Sequence, residues 1–326
     1  MIRTTKRLAA IAAVVAALTV ATACAASGGN SSGGDDGKFV IGYSQSNNAE
    51  PYRAQLNLQL QHYVKQYPNL KLLPITDAHQ DSSTQVRQVQ QFISQKVDVL
   101  IVSPNEPAPL TPPVEQACAA QIPVIILDRS VNTDCYTTFI GGDNVQAGKL
   151  AGELTAKLLP SGGNVVELQG ILSNQPQIDR DKGFREGIAA NPSIKIVAHR
   201  EAKWVKPDAT TVMQQWLQQY PKIDVVYAEN DPMALGAYLA AQQAGRAKDM
   251  KFIGTDGLAI PDGGIRAVQL GELAGTFIYP TCAQEAAQVV DQLSKHQKVD
   301  HKMTLDIAPV TTDNAAALYQ KYNFGG

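Results

Sequence analysis

Two similar stretches of the chain decide the fold: VDVLIVSPNEP at residues 97–107 and IDVVYAENDP at residues 223–232. Each begins with a short apolar, β-branched run and ends in a polar turn. Roughly 30 residues further on, each is followed by an aspartate at the end of another apolar run, Asp128 in the first case and Asp256 in the second. Both units therefore have the order strand, turn, helix, strand, aspartate, which indicates two similar α/β halves.

The same alternation extends over the rest of the chain from Lys38 onward. Short apolar runs from Phe39–Tyr43 to Gly275–Tyr279 predict strands, and longer amphipathic stretches such as Lys182–Ala190 predict the helices between them. Near-continuous apolar strands separated by helices are typical of parallel sheets that are covered on both faces. The predicted fold class is α/β, with two similar doubly wound parallel-sheet lobes.

Length and composition fit this architecture. The 326 residues suit two domains of ~100–200 residues each, and 44% hydrophobic with 18% charged residues is typical of a soluble globular protein. The formal net charge is −2. Because that balance leaves no basic patch, nucleic acid is excluded as a partner.

The N-terminus has the layout of a secretory signal peptide, predicted over residues 1–23. Met1–Arg7 is short and basic, and Leu8–Val20 is an apolar run of 13 residues followed by small residues. That run is too short to cross a hydrocarbon core of ~30 Å as a stable helix. The chain is therefore expected to be exported.

Cys24 follows small residues and resembles the cysteine of a bacterial lipobox, although Ala21 stands where the usual lipobox has leucine. The next stretch, AASGGNSSGGDDG, is rich in glycine and serine and predicts a flexible tether, so that residues 24–37 comprise a lipidated cysteine and its tether. Ordinary signal cleavage with an incidental cysteine is the alternative. The tether favours the lipid anchor, which would be the chain's one contact with the membrane.

Three further cysteines remain. Export implies an oxidising compartment, in which disulfides persist. Cys118 and Cys135 are 17 positions apart and are the favoured pair. Cys282 is then a lone buried thiol, which more often serves packing than chemistry.

Polar and aromatic side chains follow the predicted strands, where ligands bind in open α/β sheets. A sugar presents neighbouring hydroxyls that bond to Asp, Asn and Arg side chains, and its C–H faces pack on aromatic rings. The candidate residues are Asn47, Glu50, Tyr52, Arg53, Asp128, Arg129, Arg180, Trp204, Asn230 and Asp256.

Each candidate also has a purely structural interpretation. Asp128 and Arg129 would form a surface ion pair, Asn230 would cap the following helix, and Trp204 would belong to the core. Their joint occurrence at matching strand ends favours a binding site.

Six segments resemble the periplasmic sugar-binding protein family, in the branch that serves ribose, galactofuranose and related sugars. The resemblance runs from about Lys38 to the C-terminus. The segments are IPVIILDRS at 122–130, GDN at 142–144, VELQG at 166–170, DRDKGF at 179–184, YAENDPMALGA at 227–237 and GTDG at 254–257.

This resemblance implies two lobes, 38–142 plus 280–304 and 143–279 plus 305–326, which are joined by three crossing segments and close on a sugar. It implies ligand roles for Asp128, Arg129, Arg180, Asn230 and Asp256, with Trp204 covering the ring and Tyr279 at the third crossover. The expected partners are a monosaccharide or sugar alcohol and an ABC transporter permease. The chain is expected to be a monomer with no cofactor and no metal.

The first loop, NNAEPYR at residues 47–53, departs from the ribose-binding pattern, which has Asn-Asn-Pro followed by two phenylalanines. One aromatic is kept in Tyr52, and Glu50 and Arg53 add charged groups. The galactofuranose-binding branch is similar here. The loop favours a ligand more polar or larger than ribose, such as a hexofuranose or a sugar alcohol.

Three other functions compete with that of a sugar-transport component. The effector core of a sugar-responsive regulator would need an N-terminal DNA-binding motif, whereas this chain begins with a signal peptide. An enzyme on the same scaffold is disfavoured because the nucleophile-elbow, P-loop and zinc-protease motifs are absent, and because Asp128 and Asp256 are expected to stay ionised beside arginines. A binding protein that presents sugar to a chemosensory partner is not separable from a transport component by sequence.

Overall fold

The computed structural model describes residues 37–324, in which strands and helices alternate. The signal peptide, Cys24 and the tether up to Asp36 lie outside the described residues. The strands are β1 Phe39–Gln45, β2 Leu70–Leu72, β3 Thr76–Asp77, β4 Val99–Ser103, β5 Val124–Leu127, β6 Thr138–Gly142, β7 Gly163–Gln169, β8 Ile194–Glu201, β9 Val225–Ala228, β10 Lys251–Ile253, β11 Thr276–Ile278, β12 Lys302–Leu305 and β13 Ala308–Val310. The helices are α1 Pro51–Val64, α2 Ser82–Ser94, α3 Pro107–Ala119, α4 Asn144–Leu158, α5 Gln175–Ile188, α6 Lys206–Gln219, α7 Asp231–Gln243, α8 Gly264–Gln269, α9 Ala283–Ser294 and α10 Ala315–Tyr322, with a 3₁₀ turn at Ala247–Asp249.

The first sheet has the strand order β12-β6-β5-β4-β1-β2, with β3 paired to the end of β1. All of its pairings are parallel, and in the centre Ile41 of β1 lies opposite Val99 of β4. Every residue of β4 and β5 is buried, because helices cover both faces of the sheet. The apolar run Val99–Val102 of β4 therefore lies at the centre of this sheet.

The second sheet repeats the arrangement with the parallel order β10-β9-β7-β8. A short antiparallel pair, β11 with β13, lies beside it and is joined by the bridges Ile253–Gly275 and Asp256–Ile278. The predicted fold class, α/β with two doubly wound parallel sheets, is confirmed. The boundaries of the two lobes stay a prediction.

Two features of the fold were not predicted. Strands β12 and β13 are short, and β12 is an edge strand without a buried residue, so it has no apolar run to reveal it. Helix α5 begins at Gln175, well before the predicted start at Lys182. A proline in its first turn suits a helix start. The first two turns are largely polar, however, so they show no apolar periodicity that would predict a helix.

Helices α4 and α5 touch backbone to backbone through glycines. A Cβ atom at Gly148 would lie 2.0 Å from the carbonyl oxygen of Arg180, and one at Gly183 would lie 2.1 Å from that of Val145. Gly152 and Gly187 approach each other in the same way. This contact sets the position of Arg180 on α5.

The structure joins Cys118, at the end of α3, to Cys135, in the loop before β6, with their Cα atoms 6.1 Å apart. That separation lies in the range usual for disulfides. Cys282 is a free, buried cysteine at the start of α9. Between residues 37 and 324 no helix has both the length and the apolar character needed to cross a membrane.

Candidate ligand-binding site

A small polar cavity of about 20 Å³ lies where the carboxyl ends of strands from both sheets meet. Its walls come from the loops after β1, β5, β8, β9, β10 and β11 and from the first turns of α1 and α5. The lining residues are Glu50, Tyr52, Arg53, Asp128, Arg129, Pro176, Arg180, Trp204, Asn230, Asp256 and Tyr279. Ten of the eleven candidates from the sequence line this wall. Pro176 was not among them.

Asn47 is the candidate that does not line the cavity. Its side-chain oxygen accepts hydrogen bonds from the backbone N–H groups of Ala49, at 3.0 Å, and Glu50, at 2.9 Å. Its Nδ2 donates to Glu50 Oε1 at 2.8 Å. Asn47 therefore folds the first loop and orients the Glu50 carboxylate, instead of facing a ligand.

Asp128 and Arg53 form the central ion pair of the site. Arg53 Nη2 lies 2.5 Å from Asp128 Oδ2, and its Nη1 donates to Ser103 Oγ at 3.1 Å. Burial by itself would raise the pKa of Asp128, but Arg53, Arg129 and Arg180 outweigh it and hold the pKa below its usual value. Asp128 is therefore an ionised acceptor, as expected. It is buried, so the interpretation as a surface ion pair is wrong.

Arg129 is held more loosely. Within the described part of the chain the one hydrogen bond of its side chain is from Nη1 to the carbonyl of Asn105, at 3.4 Å. Its nearest carboxylates, on Glu50 and Asp128, are 3.7 and 3.9 Å away. Burial and the neighbouring Arg53 lower its pKa to about 10. Arg129 thus keeps its charge at neutral pH and has several N–H donors available to a ligand.

Arg180 lies on α5, in the helix's second turn, and not just ahead of a helix as the sequence suggested. Its Nε donates to Asn144 Oδ1 at 2.9 Å, and its Nη1 donates to the carbonyl of Glu229 at 2.5 Å. Its guanidinium carbon lies 4.6 Å from the ring centre of Tyr279 and 5.5 Å from that of Trp204. Helix α5 thus brings a fixed cation against both aromatic walls.

Asp256 departs from the expectation that it stays ionised. Burial, and then the neighbouring Asp231, raise its pKa well above the usual value, against the opposing effect of Arg180. Asp231 is held by Thr276 and by the backbone of Gly257, and burial raises its pKa to about 6. Among the described residues, Asp256 Oδ2 has no hydrogen-bond partner. Asp256 therefore binds its proton more tightly than an ordinary aspartate does, and its protonated form can donate one hydrogen bond and accept others.

Two aromatic rings, of Trp204 and Tyr279, form part of the wall. Trp204 adopts a positive φ of 70°, and its ring occupies the space where any Cβ on Gly170 would stand, 2.0 Å from Cζ2. The Tyr279 hydroxyl accepts hydrogen bonds from the backbone N–H of Gly142, at 3.2 Å, and from Asn144, at 3.1 Å. Trp204 packs into the core of the second sheet and also lines the cavity, so it is a core residue, and its role in covering a sugar ring stays a prediction.

Asn230 likewise has two roles. Its Oδ1 accepts from the backbone N–H of Met233 at 3.0 Å, which caps α7. Its Nδ2 donates to the carbonyl of Trp204 at 3.0 Å. Asn230 is therefore the predicted helix cap and also holds the loop that carries Trp204.

Behind the cavity lies a buried acidic pair that the sequence analysis did not single out. Glu229 Oε2 accepts from the backbone N–H of Gly170 at 2.7 Å. Burial, and then the neighbouring Glu167, raise the pKa of Glu229 well above its usual value. Burial and Asp181 raise the pKa of Glu167 to about 8, against the opposing effect of Arg185. Acidic residues within or directly after apolar strands are the signal that would have revealed them.

Replacing Glu167 by glutamine is expected to stabilise the protein at neutral pH. Because the folded state raises the pKa of Glu167 from 4.5 to about 8, it binds this proton more tightly than the unfolded state does. The wild-type free energy of unfolding should therefore fall as pH rises from 4.5 to 8, by up to ~1.4 kcal/mol per pH unit. Denaturant titrations across that range should show a flatter profile for Glu167→Gln. The exposed Glu186→Gln on α5, the helix that carries Asp181 and Arg185, is the control, and equal slopes in all three proteins would contradict the assignment.

The described residues contain no group of three or more His, Cys, Asp or Glu side chains placed to hold a metal ion. The groups that line the cavity are guanidinium donors, carboxyl groups and aromatic faces.

Two doubly wound sheets with a polar cavity at their strand ends define the class of type I periplasmic binding proteins. The chain belongs to the family whose model is described as periplasmic binding protein domain, which matches residues 41–299. A ribose import binding protein of Salmonella typhimurium is 33% identical over 237 residues, 72% of this chain and 78% of that protein. A galactofuranose-binding protein of Escherichia coli is 31% identical over 299 residues, 88% of this chain and 92% of that protein.

A similar solved structure is the fructose-binding periplasmic domain of a hybrid two-component system. It has a TM-score of 0.84 and 36% identity, and the alignment covers 87% of this chain and 94% of that domain. The family model, the two related sequences and the solved structure therefore agree with the resemblance inferred from the motifs.

Proposed function

We propose that this protein is the substrate-binding component of a carbohydrate ABC importer and binds a monosaccharide or sugar alcohol in the polar cavity. The observation that carries the proposal is the cavity wall itself, which combines Arg129, Asp128 and Asp256 with the rings of Trp204 and Tyr279. The role is binding and release, with no catalytic step.

The groups on this wall match a polyhydroxylated ligand. Arg129 offers N–H donors, and the ionised Asp128 accepts from hydroxyls. Asp256 Oδ2, which lacks a partner within residues 37–324, gains one from a hydroxyl of the ligand. Hydrogen bonds to charged groups contribute ~1.5–3 kcal/mol each. Several of them, less the ordering cost, reach the roughly −8 kcal/mol of a micromolar complex.

The cavity bears on the mechanism and on the ligand's polarity. Its volume of about 20 Å³ is far below the ~300–1,000 Å³ of ligand pockets, so a sugar enters only when the two sides of the cleft move apart. Glu50 and Arg53 lie on the wall, which supports a ligand more polar than ribose, such as a galactofuranose-like hexose or a sugar alcohol. The related proteins named for ribose and for galactofuranose support a ligand of the size of a single sugar.

Hinge closure is the proposed mechanism. Ligand contacts drawn from both sheets stabilise the closed state, which a membrane permease then recognises. The division of strands supports the proposed lobes: β1–β6 and β12 share one sheet, and β7–β10 form the other. The proposed lobes are 38–142 plus 280–304 and 143–279 plus 305–326.

We also propose that the chain is exported and anchored through a lipid on Cys24. The run of 13 apolar residues and the Gly/Ser-rich stretch after Cys24 support this. Mass spectrometry of the mature N-terminus tests it: an acylated Cys24 is the expected result, and an unmodified N-terminus elsewhere would contradict it.

Presentation of sugar to a sensor is the second candidate, favoured by the similarity to a sugar-binding domain of a two-component system. Sugar uptake by cells distinguishes the two candidates. Deleting the gene abolishes uptake if the protein serves a permease, and leaves uptake intact while abolishing the sugar response if it serves a sensor.

A thermal-shift screen of the purified chain against furanoses, pyranoses and polyols tests the proposed function. A ligand at 100 times its dissociation constant is expected to stabilise the protein by ~2.7 kcal/mol. Arg129→Ala should lose that shift, because its N–H groups supply donors to the ligand. The absence of a shift with every sugar and polyol would overturn the proposal.

A further inference from the structure

Asn174 is a buried residue at the start of α5 whose side chain does not cap the helix. It occupies the N-cap, with extended backbone angles, yet makes no side-chain hydrogen bond to the first turn of the helix. Asparagine at an N-cap normally accepts from the backbone N–H of the second or third helical residue. Since Asn174 is fully buried, its amide must find partners elsewhere.

Both halves of that amide have partners, and the partners belong to different sheets. Nδ2 donates to the carbonyl of Asn105 at 2.9 Å, and Asn105 follows β4 of the first sheet. Oδ1 accepts from Trp204 Nε1 at 3.1 Å, and Trp204 follows β8 of the second sheet. The hydrogen bonds from Asn105 through Asn174 to Trp204 are referred to below as the Asn174 bridge.

The Asn174 bridge joins the ligand cavity directly. The Asn105 carbonyl that accepts from Asn174 also accepts from Arg129 Nη1, at 3.4 Å. At the other end, the ring of Trp204 lies 5.7 Å from the guanidinium of Arg129. One buried amide thus touches the carbonyl behind Arg129 and the ring that covers the cavity.

We infer that Asn174 is a positioning residue that couples closure of the two sheets to the placement of Trp204 over the ligand. The bond to Trp204 lies within the second sheet's side and orients the ring. The bond to Asn105 crosses to the first sheet's side and forms only when the two sides meet. The inference rests on the proposed function for what closure serves, but the bridge itself is testable without any ligand.

Asn174→Asp separates the two bonds. The aspartate keeps an oxygen for Trp204 Nε1, but it turns a second oxygen, in place of the donor, toward the Asn105 carbonyl. Loss of one buried hydrogen bond and the new repulsion should reduce the closed fraction about tenfold or more. Asn174→Ala removes both bonds, and Gln175→Ala, at the exposed neighbouring position, is the matched control.

Cross-linking measures the closed fraction in ligand-free protein. Ser173 Oγ and Glu106 Oε1 lie 3.2 Å apart on the two sides of the cleft, so cysteines introduced there, as Ser173→Cys with Glu106→Cys, react with a short bis-maleimide when the cleft is closed. Cross-linking should be about tenfold slower with Asn174→Asp and unchanged with Gln175→Ala. Equal rates for all variants would overturn the bridge.

The indole N–H of Trp204 tests the other half of the bridge by ¹⁵N NMR, with Trp216→Phe to assign the signal. Its hydrogen exchange should stay slow in Asn174→Asp and become fast in Asn174→Ala. Slow exchange in both variants would overturn the positioning role. If these ligand-free results hold and no sugar binds, the bridge stands and the proposed function fails. If a sugar binds but the cross-linking rates are equal, the proposed function stands and the bridge fails.

Discussion

Asp128→Ala is expected to abolish ligand binding and to lower the free energy of unfolding by about 3–5 kcal/mol, the usual cost of breaking a buried ion pair. Arg53 Nη2 lies 2.5 Å from Asp128 Oδ2 inside the protein, so removing the carboxylate leaves the Arg53 charge buried beside those of Arg129 and Arg180. The geometry of the pair therefore predicts a loss of both ligand binding and stability.

Arg129→Ala separates the two effects. Burial and Arg53 already disfavour its charge, lowering its pKa to about 10, and its nearest carboxylate atoms are 3.7 Å or more away. We expect binding to be lost while stability changes little. Calorimetry with the ligand from the thermal screen and denaturant titration measure the two quantities. Asp134→Ala, at an exposed position nearby, is the control, and wild-type affinity for either site variant would refute the site assignment.

The second large effect is expected from Gly148→Ala and Gly183→Ala. A Cβ at Gly148 would lie 2.0 Å from the Arg180 carbonyl oxygen, and one at Gly183 would lie 2.1 Å from that of Val145. Backbone cannot yield as a flexible side chain does, so helices α4 and α5 must separate. Overpacking of this kind costs ~1–3 kcal/mol or more, and each variant should fall at the upper end or beyond.

Separation of the two helices should also weaken ligand binding, since Arg180 is carried by α5. Its bonds to Asn144 and to the Glu229 carbonyl, at 2.9 and 2.5 Å, would no longer form together. Thermal denaturation and calorimetry check both effects, with the exposed Lys149→Ala on the same helix as control. Unchanged stability in either glycine variant would show that α4 and α5 are not in contact as described.

Much of the fold was predictable because its cause is local. Buried central strands of a parallel sheet must be apolar on both faces. The mainly apolar stretches at residues 97–103 and 223–228 meet this requirement and therefore predict such strands. The aspartates after the strands, Asp128 and Asp256, were found because strand ends gather at one edge of the sheet. Helix α5 was placed too late because its polar first turns carry no apolar period, so Arg180 was assigned to a loop.

The ligand cavity was predictable in its membership and less so in its chemistry. The residue type of Asn47 suits a ligand and so predicts a place on the cavity wall. Its side-chain amide instead makes its hydrogen bonds within the first loop. Asp256 was expected to be ionised because arginines stand near it in the motif, whereas its burial and Asp231 govern its pKa. Pro176 and Asn174 were not predicted because they lie at the start of α5, where the polar first turns give no helical pattern.

The sequence by itself determined the two α/β halves, the strand-end location of the site and the residue types that line it, because apolar period and motif spacing are properties of short stretches of chain. Only the tertiary structure decided which charges pair, which carboxyl group holds a proton, and which amide bridges Asn105 to Trp204. Those outcomes depend on burial and on distances of a few ångströms between residues far apart in the chain. Because these groups are buried, the neighbouring side chains decide whether each one is charged and which hydrogen bonds it makes.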